Sequence, residues 1–168
     1  MEKATPEQRL EELVLLHQHP LLRMCCVILR DAALAEDAVQ ETFLRAFRRL
    51  DAFRGASSEK TWLTAIALNV CRDMRKSAWW RHTERRFTPE DMEGKPSTPA
   101  CGDTGESLAL GQAIARLPGK YRDAVLLYYY HDMTLTEAAQ VLKTSPATVS
   151  KRVARARAML KEELEVRL

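Results

Sequence analysis

Residues 134–157 read TLTEAAQVLKTSPATVSKRVARAR, a pattern that calls for two short helices joined by a tight turn, the second of them basic. Thr134 can accept an orphan backbone N–H at a helix start, and Glu137, three residues on, can reach back to complete a capping box. Leu135, Ala138, Ala139 and Leu142 follow as an apolar stripe at helical spacing. Lys143 and Thr144 make the turn, and Ser145-Pro146 restarts the chain as an N-cap followed by a proline whose missing N–H costs nothing at that position. In the second helix Val149, Val153, Ala156 and Leu160 share one face, with Lys151 and Arg155 opposite and Arg152 and Arg157 flanking them. Ala147, Thr148, Ser150 and Ala154 keep that outer face slim enough for a DNA major groove, which just admits one helix. A solvated basic face is the plainer account of the charge alone; caps, short turn and slim face together point to a DNA reader.

The rest of the chain has to be organised around that motif. Its 168 residues allow one ordinary domain or two small ones, and 46% hydrophobic with 29% charged residues is a globular composition. The net charge of +3 hides an uneven distribution. Residues 1–86 carry 15 basic and 12 acidic side chains, residues 87–106 carry 1 and 5, and residues 107–168 carry 10 and 6. Two basic bodies therefore flank an acidic connector. That connector holds three prolines and three glycines between residues 87 and 105 with no apolar period, the composition of a flexible linker. Its acidity suits either solubility or mimicry of nucleic acid in a basic channel. The N-terminus MEKATPEQRLEEL is too charged for a signal peptide, and no long uninterrupted apolar run is present, so a cytoplasmic protein without direct membrane insertion is expected. Cys25, Cys26, Cys71 and Cys101 form no CxxC pair, which favours small core thiols over a zinc site or disulfide framework.

Before the connector the periodicity is helical throughout, and four helices are expected. Leu10, Leu13 and Val14 mark the first; Pro20 ends it or opens the second, on which Leu22, Cys26 and Leu29 share one side. The third covers about residues 33–50 with Val39, Phe43, Ala46 and Leu50 inward, and the fourth starts near Thr61, with Leu63, Ile66, Ala67, Val70 and Met74 on its buried side. After the connector, Leu110, Ile114 and Leu117 mark a helix ending before Pro118, and another runs from Gly119 towards Tyr130 into the helix-turn-helix. The fold class is all-α, with two small four-helix domains, 1–86 and 107–168, joined by the linker 87–106.

Two constellations remain on the outside. The third helix carries Asp37, Gln40, Glu41 and Arg48 away from its apolar stripe, with Leu44 among them, as a partner surface would. The loop and fourth helix bring Phe53, Arg54, Trp62, Arg72, Arg75 and Lys76 together, followed by Trp79, Trp80, Arg81, Arg85 and Arg86. Cations beside aromatic rings suit single-stranded nucleic acid, although core aromatics beside a solvated basic helix end would read the same way.

In chain order these blocks are AEDAVQETFLRAFRRL (residues 35–50), FRG (53–55), TWLTAIALNVCRD (61–73), RLPGKYRDAVLL (116–127) and the helix-turn-helix. The chain resembles a bacterial RNA polymerase sigma factor of the sigma-70 family, in its extracytoplasmic-function (ECF) group, over almost everything outside the linker and the first few residues. The resemblance implies a region 2 domain at residues 1–86 and a region 4 domain at 107–168. It implies that the DxxQE residues Asp37, Gln40 and Glu41, with Phe43, Leu44 and Phe47, dock on the coiled-coil of the largest polymerase subunit. Phe53, Arg54, Gly55, Ala56, Ser57, Ser58 and Lys60 match the loop that captures a flipped minus-ten base. The resemblance implies that Trp62 and Asn69 border that pocket and that Arg72, Arg75 and Lys76 grip phosphates. Thr148, Ser150, Lys151, Arg152, Ala154 and Arg155 would read the minus-thirty-five element while the domain rests on the flap of the second-largest subunit. Members of this group usually answer to an anti-sigma partner, membrane-anchored in some cases. The chain departs from the family pattern at Glu59-Lys60 in the base-capturing loop, at Lys143 in place of a turn glycine, and at Ser150 and Ala154, which are shorter than the side chains of some relatives.

Such a factor lends specificity to the polymerase and needs no catalytic residue, metal or cofactor of its own. The competing reading is a stand-alone dimeric helix-turn-helix regulator, which requires a palindromic operator; the DxxQE block argues against it. Replacing Arg155 with Ala should weaken promoter binding and promoter-dependent transcription several-fold, measured by gel shift of the polymerase-bound factor and by run-off product.

Overall fold

The computed structural model describes residues 2–77 and 105–166. Seven α-helices and no strand occur among the described residues: α1 (Pro6–Leu29), α2 (Ala32–Arg48), α3 (Glu59–Lys76), α4 (Gly105–Arg116), α5 (Gly119–Val125), α6 (Leu135–Leu142) and α7 (Pro146–Val166). A single 3₁₀ turn, Leu50–Ala52, follows α2, and a π-helical turn, Leu126–Tyr130, extends α5. The linker expected at residues 87–106 lies mostly outside the described residues, as do Trp79, Trp80, Arg81, Arg85, Arg86 and Cys101.

The N-terminal body is built from α1, α2 and α3, each packed against the other two. The expected break at Pro20 is absent, because α1 continues through it as one helix. An interior proline removes the N–H that would bond to the carbonyl four residues back, at a cost of about 3 kcal/mol. Leu21 and every residue from 24 to 29 are nevertheless buried, and at about 2 kcal/mol for each large apolar side chain taken from water their packing on α2 and α3 outweighs the break. Pro20 itself is exposed, as is Leu16, whose carbonyl loses its partner. This long apolar helix is thus the central element of a three-helix core, where the periodicity alone suggests two shorter ones. An unread capping box, with Thr5 accepting from the Gln8 N–H and the Gln8 side chain accepting from the Thr5 N–H, starts it.

On α2, Val39, Phe43 and Ala46 face the core together with Leu50 just beyond its end. On α3, Leu63, Ile66, Ala67 and Val70 do the same, and Ser58 caps the helix by accepting from the Thr61 N–H. Cys25 and Cys71 meet across the α1–α3 interface at 3.5 Å, Cys71 donating. That hydrogen bond and burial push the Cys25 thiol far above its ordinary range, so Cys25 is a packed, protonated core thiol.

In the C-terminal body α7 packs against α4, α5 and α6. Val149, Val153, Ala156 and Leu160 are buried, as the four-three-four spacing requires. The capping box of Thr134 and Glu137 forms, and Ser145 caps α7 by accepting from the Thr148 N–H. Lys143 closes α6 in the left-handed conformation, φ 55° and ψ 49°, with the Thr144 N–H reaching the Ala139 carbonyl. This is the turn a glycine would make, held here by a residue whose Cβ opposes it. Replacing Lys143 with Gly should therefore raise the unfolding free energy by about 1 kcal/mol, measured by urea denaturation.

Candidate polymerase and nucleic-acid interfaces

Because the apolar stripe of α2 faces inward, its DxxQE residues must face out. Asp37 and Gln40 are exposed, Glu41 is half-buried, and Leu44 and Phe47 stand 50% and 37% exposed beside them. Phe43 departs from the expected docking set: it is 7% exposed and belongs to the core, because it continues the Val39–Ala46 face rather than the Asp37–Leu44 one. Behind the acidic residues a groove of about 440 Å³ opens between α2 and α3, lined by Leu34, Asp37, Glu41, Asp73 and Met74 among others. Arg45 crosses it, 3.0 Å from Glu41 and 3.1 Å from Asp73, so two carboxylates hold one guanidinium and raise its pKa further. Asp37 is left to project from this surface.

The loop leading into α3 is fixed from both ends. Phe53 stacks on Trp62, with ring centroids 4.5 Å apart and planes 24° from parallel, a contact worth about 1 kcal/mol beyond burial. Both residues remain half-buried. Gly55 takes φ +74°, the left-handed region that a side chain disfavours. Arg54, Ala56 and Ser58 are exposed along the turn, Ser57 is half-buried, and Lys60 sits on the first turn of α3. Asn69, Arg72 and Lys76 are exposed further along that helix, and Arg75 is half-buried. The aromatic pair and the loop thus stand at the start of α3, and the cations Arg72, Arg75 and Lys76 in its last turns.

On α7, Ser150, Lys151, Ala154 and Arg155 are exposed opposite the buried stripe, with Arg152 half-buried at the margin. Thr148 is half-buried, and its hydroxyl lies 2.9 Å from that of Ser145, so it serves the N-cap as well as bordering the reading face.

Several contacts that sequence reasoning passed over join the two bodies. Arg72 pairs with Asp123 at 3.3 Å. Asp123 is buried and also holds the buried guanidinium of its neighbour Arg122 at 3.1 Å. Arg30 at the end of α1 donates to the Ala115 carbonyl near the end of α4, where the helix dipole favours a cation. Arg23 lies 5.6 Å over the Tyr130 ring. His131 is buried, and its Nε2 finds no partner. No local pattern announces these contacts, since Arg72 and Asp123 stand 51 residues apart.

Residues 13–81 match the family described as Sigma-70 region 2, and residues 107–160 the one described as Sigma-70, region 4. The RNA polymerase sigma-H factor of Pseudomonas aeruginosa is 30% identical over 164 residues, which cover 91% of this chain and 84% of that protein. The chain belongs to the sigma-70 family, in its ECF group. This sigma factor is also 30% identical to the ECF RNA polymerase sigma factor SigW of Bacillus subtilis, over 91% of its own length and 87% of the relative's. It is 33% identical to the probable RNA polymerase sigma factor RfaY of Xanthomonas campestris, covering 88% of this chain but only 38% of that longer protein. Among solved structures it is similar to the sigma factor RpoE in its co-crystal with the anti-sigma factor NepR from Bartonella quintana, with TM-score 0.72, 27% identity, and coverage of 93% of this chain and 96% of that one. It is similar too to CnrH in complex with the cytosolic domain of CnrY, with TM-score 0.70, 25% identity, and coverage of 95% and 90%. The all-α, two-domain architecture expected of the sequence is that of these relatives, and they do not favour the stand-alone dimeric regulator.

Burial pushes the His131 imidazole of the sigma factor down to about 4; Lys60, Arg23 and His17 add to the shift and Asp132 opposes it. The folded protein therefore disfavours the protonated ring. Its stabilising contribution is fully present above pH 6.5, the unfolded value, and is lost as pH falls from there towards 4. Urea unfolding at pH 7 and pH 5 should show this acid loss, up to about 3 kcal/mol in the limit, and His131→Phe should remove most of it.

Proposed function

We infer that this chain binds core RNA polymerase and directs promoter-specific transcription initiation in the cytoplasm. The observation that carries the reading is the division of labour between faces. Two helical bodies each bury one stripe, and between them they leave outside an acidic-apolar surface, an aromatic-cationic loop and a basic reading helix.

Asp37, Gln40 and Glu41, with Leu44 and Phe47, form the surface for the coiled-coil of the largest polymerase subunit. Carboxylates around exposed apolar side chains combine electrostatic steering with area worth covering. The loop from Phe53 to Lys60 takes the unstacked minus-ten base. Removing a base from the stack costs a few kcal/mol, offset by pocket hydrogen bonds and by contact with an aromatic platform. The Phe53–Trp62 stack supplies that platform, and Asn69, Arg72, Arg75 and Lys76 follow the strand along α3. In the second body Ser150, Lys151, Arg152, Ala154 and Arg155 face the minus-thirty-five duplex, with Thr148 at the edge. Short side chains let the helix approach closely, and phosphate contacts then carry most of the affinity. This body rests on the flap of the second-largest subunit.

Residues 1–86 and 107–168 act as the two functional units, joined by 87–106. Control by an anti-sigma factor is part of the reading, because the solved relatives RpoE and CnrH were captured with NepR and with the cytosolic domain of CnrY.

Run-off transcription with purified core polymerase on a library of candidate promoters tests the proposal. A promoter-dependent product is expected with this chain and not without it. The Asp37→Lys/Glu41→Lys variant should lose core binding at least tenfold in pull-down while keeping its helical circular dichroism. Absence of both core binding and promoter-dependent product would overturn the reading.

A further inference from the structure

Three non-glycine residues among the described ones hold the left-handed conformation: Arg30, Asp132 and Lys143. A Cβ opposes that backbone, so each calls for an offsetting contact or a side chain that tolerates it. For two of them the reason is present. Arg30 closes α1 and donates to the Ala115 carbonyl, and Asp132 is an aspartate, one of the few residue types that visits this region readily. Lys143 has neither. It is exposed, and it forms no ion pair or side-chain hydrogen bond among the described residues. A glycine would close α6 in the same conformation without the strain. Strain that brings the fold no contact points to a side chain used outside the fold.

The place of the turn shows what that side chain meets. Lys143 stands two residues before Ser145, which caps α7, so its Cα lies within about 7 Å of the helix start. From there α7 turns Ala147, Ser150, Lys151, Ala154 and Arg155 away from its buried stripe. A reading helix enters the major groove by its N-terminal residues, and a groove about 12 Å wide keeps the phosphates of its walls beside that end. The cations of α7 itself come late. Residues 144–150 are uncharged, and Lys151 and Arg155 lie in the second and third turns. Lys143 is therefore the cation at the leading end of the motif, a point charge on a flexible four-carbon stem.

We propose that Lys143 is a DNA-binding residue of the C-terminal body, its ammonium contacting a backbone phosphate at the wall of the minus-thirty-five major groove beside the start of α7. The contact rests on the sigma-factor reading. It carries no sequence information; it adds affinity and fixes how the helix enters the groove. Ser150 and Ala154 present short side chains to the base edges, so a phosphate anchor at the leading end supplies holding power that the reading face lacks.

Three variants separate charge from backbone strain. Lys143→Gln and Lys143→Arg keep a Cβ in the left-handed turn and differ in charge, whereas Lys143→Gly removes both charge and strain. Each factor, bound to core polymerase, is titrated by gel shift against a promoter fragment selected by run-off, at KCl concentrations from about 50 to 200 mM. One phosphate contact contributes about 0.9 to the slope of log affinity against log salt. Lys143→Gln and Lys143→Gly should each flatten the slope by about that amount and bind about three- to tenfold more weakly at the lowest salt, to a similar extent on every promoter tested. Lys143→Arg should keep the wild-type slope. Lys143→Gly should also unfold at a higher urea concentration than the wild type while binding promoter less tightly. Pull-down of core polymerase should be the same for all four proteins. A wild-type salt slope in the Gln and Gly variants would overturn the contact and leave the sigma reading intact. Loss of core binding in those variants would place the lysine against polymerase and overturn it as well. A wild-type factor that yields no promoter-dependent product would defeat the sigma reading itself, and the contact with it.

Discussion

Each helix of this chain has one apolar stripe to bury, and the placement of those stripes determines where everything else goes. On α2 the buried Val39, Phe43 and Ala46 turn Asp37, Gln40 and Leu44 outward without any local interaction having to aim them. On α7 the same logic turns Lys151 and Arg155 away from Val149 and Val153. A helix built this way offers its free face as a rigid, preformed surface. For a binding subunit that is an advantage, since little conformational freedom remains to be lost on association.

The second organising element is the Asp123 carboxylate. Buried charges persist only when paired, and Asp123 meets that demand with Arg122 inside its own body and Arg72 across the boundary between bodies. One half of the pairing is structural and permanent, and the other is accessible to solvent. A single side chain thus connects the packing of α5 to the position of the exposed Arg72 on α3. His131 adds to the same boundary, because burial, with cations on α1 and α3 adding to it, keeps its ring neutral.

Sequence periodicity was sufficient for the helices whose stripes are regular. The helix-turn-helix was legible down to its caps, because Thr134, Glu137 and Ser145 act over three residues. Pro20 misled because helix breaking is a local preference and burial of residues 21–29 is a tertiary one. Phe43 was legible as core from its spacing and as a docking residue from family resemblance; the packing decides for the core. The Arg72–Asp123 pair and the Cys25–Cys71 contact join residues distant in sequence, and no periodicity encodes them. The Phe53–Trp62 stack lay between these cases, with both rings recognisable and only their face-to-face arrangement new.

The continuity of α1 through Pro20 has a dynamic consequence. Before the proline, Leu13 is the sole fully buried residue, and Leu15 and Leu16 stand 84% and 68% exposed. After it nearly every side chain is interior. One helical axis therefore joins two segments of very different opening free energy. Backbone amides of the first segment can exchange with solvent through local fraying, while those beyond Met24 exchange only when the three-helix core itself comes apart. The proline marks the boundary, since it deletes one of the hydrogen bonds that join the two segments.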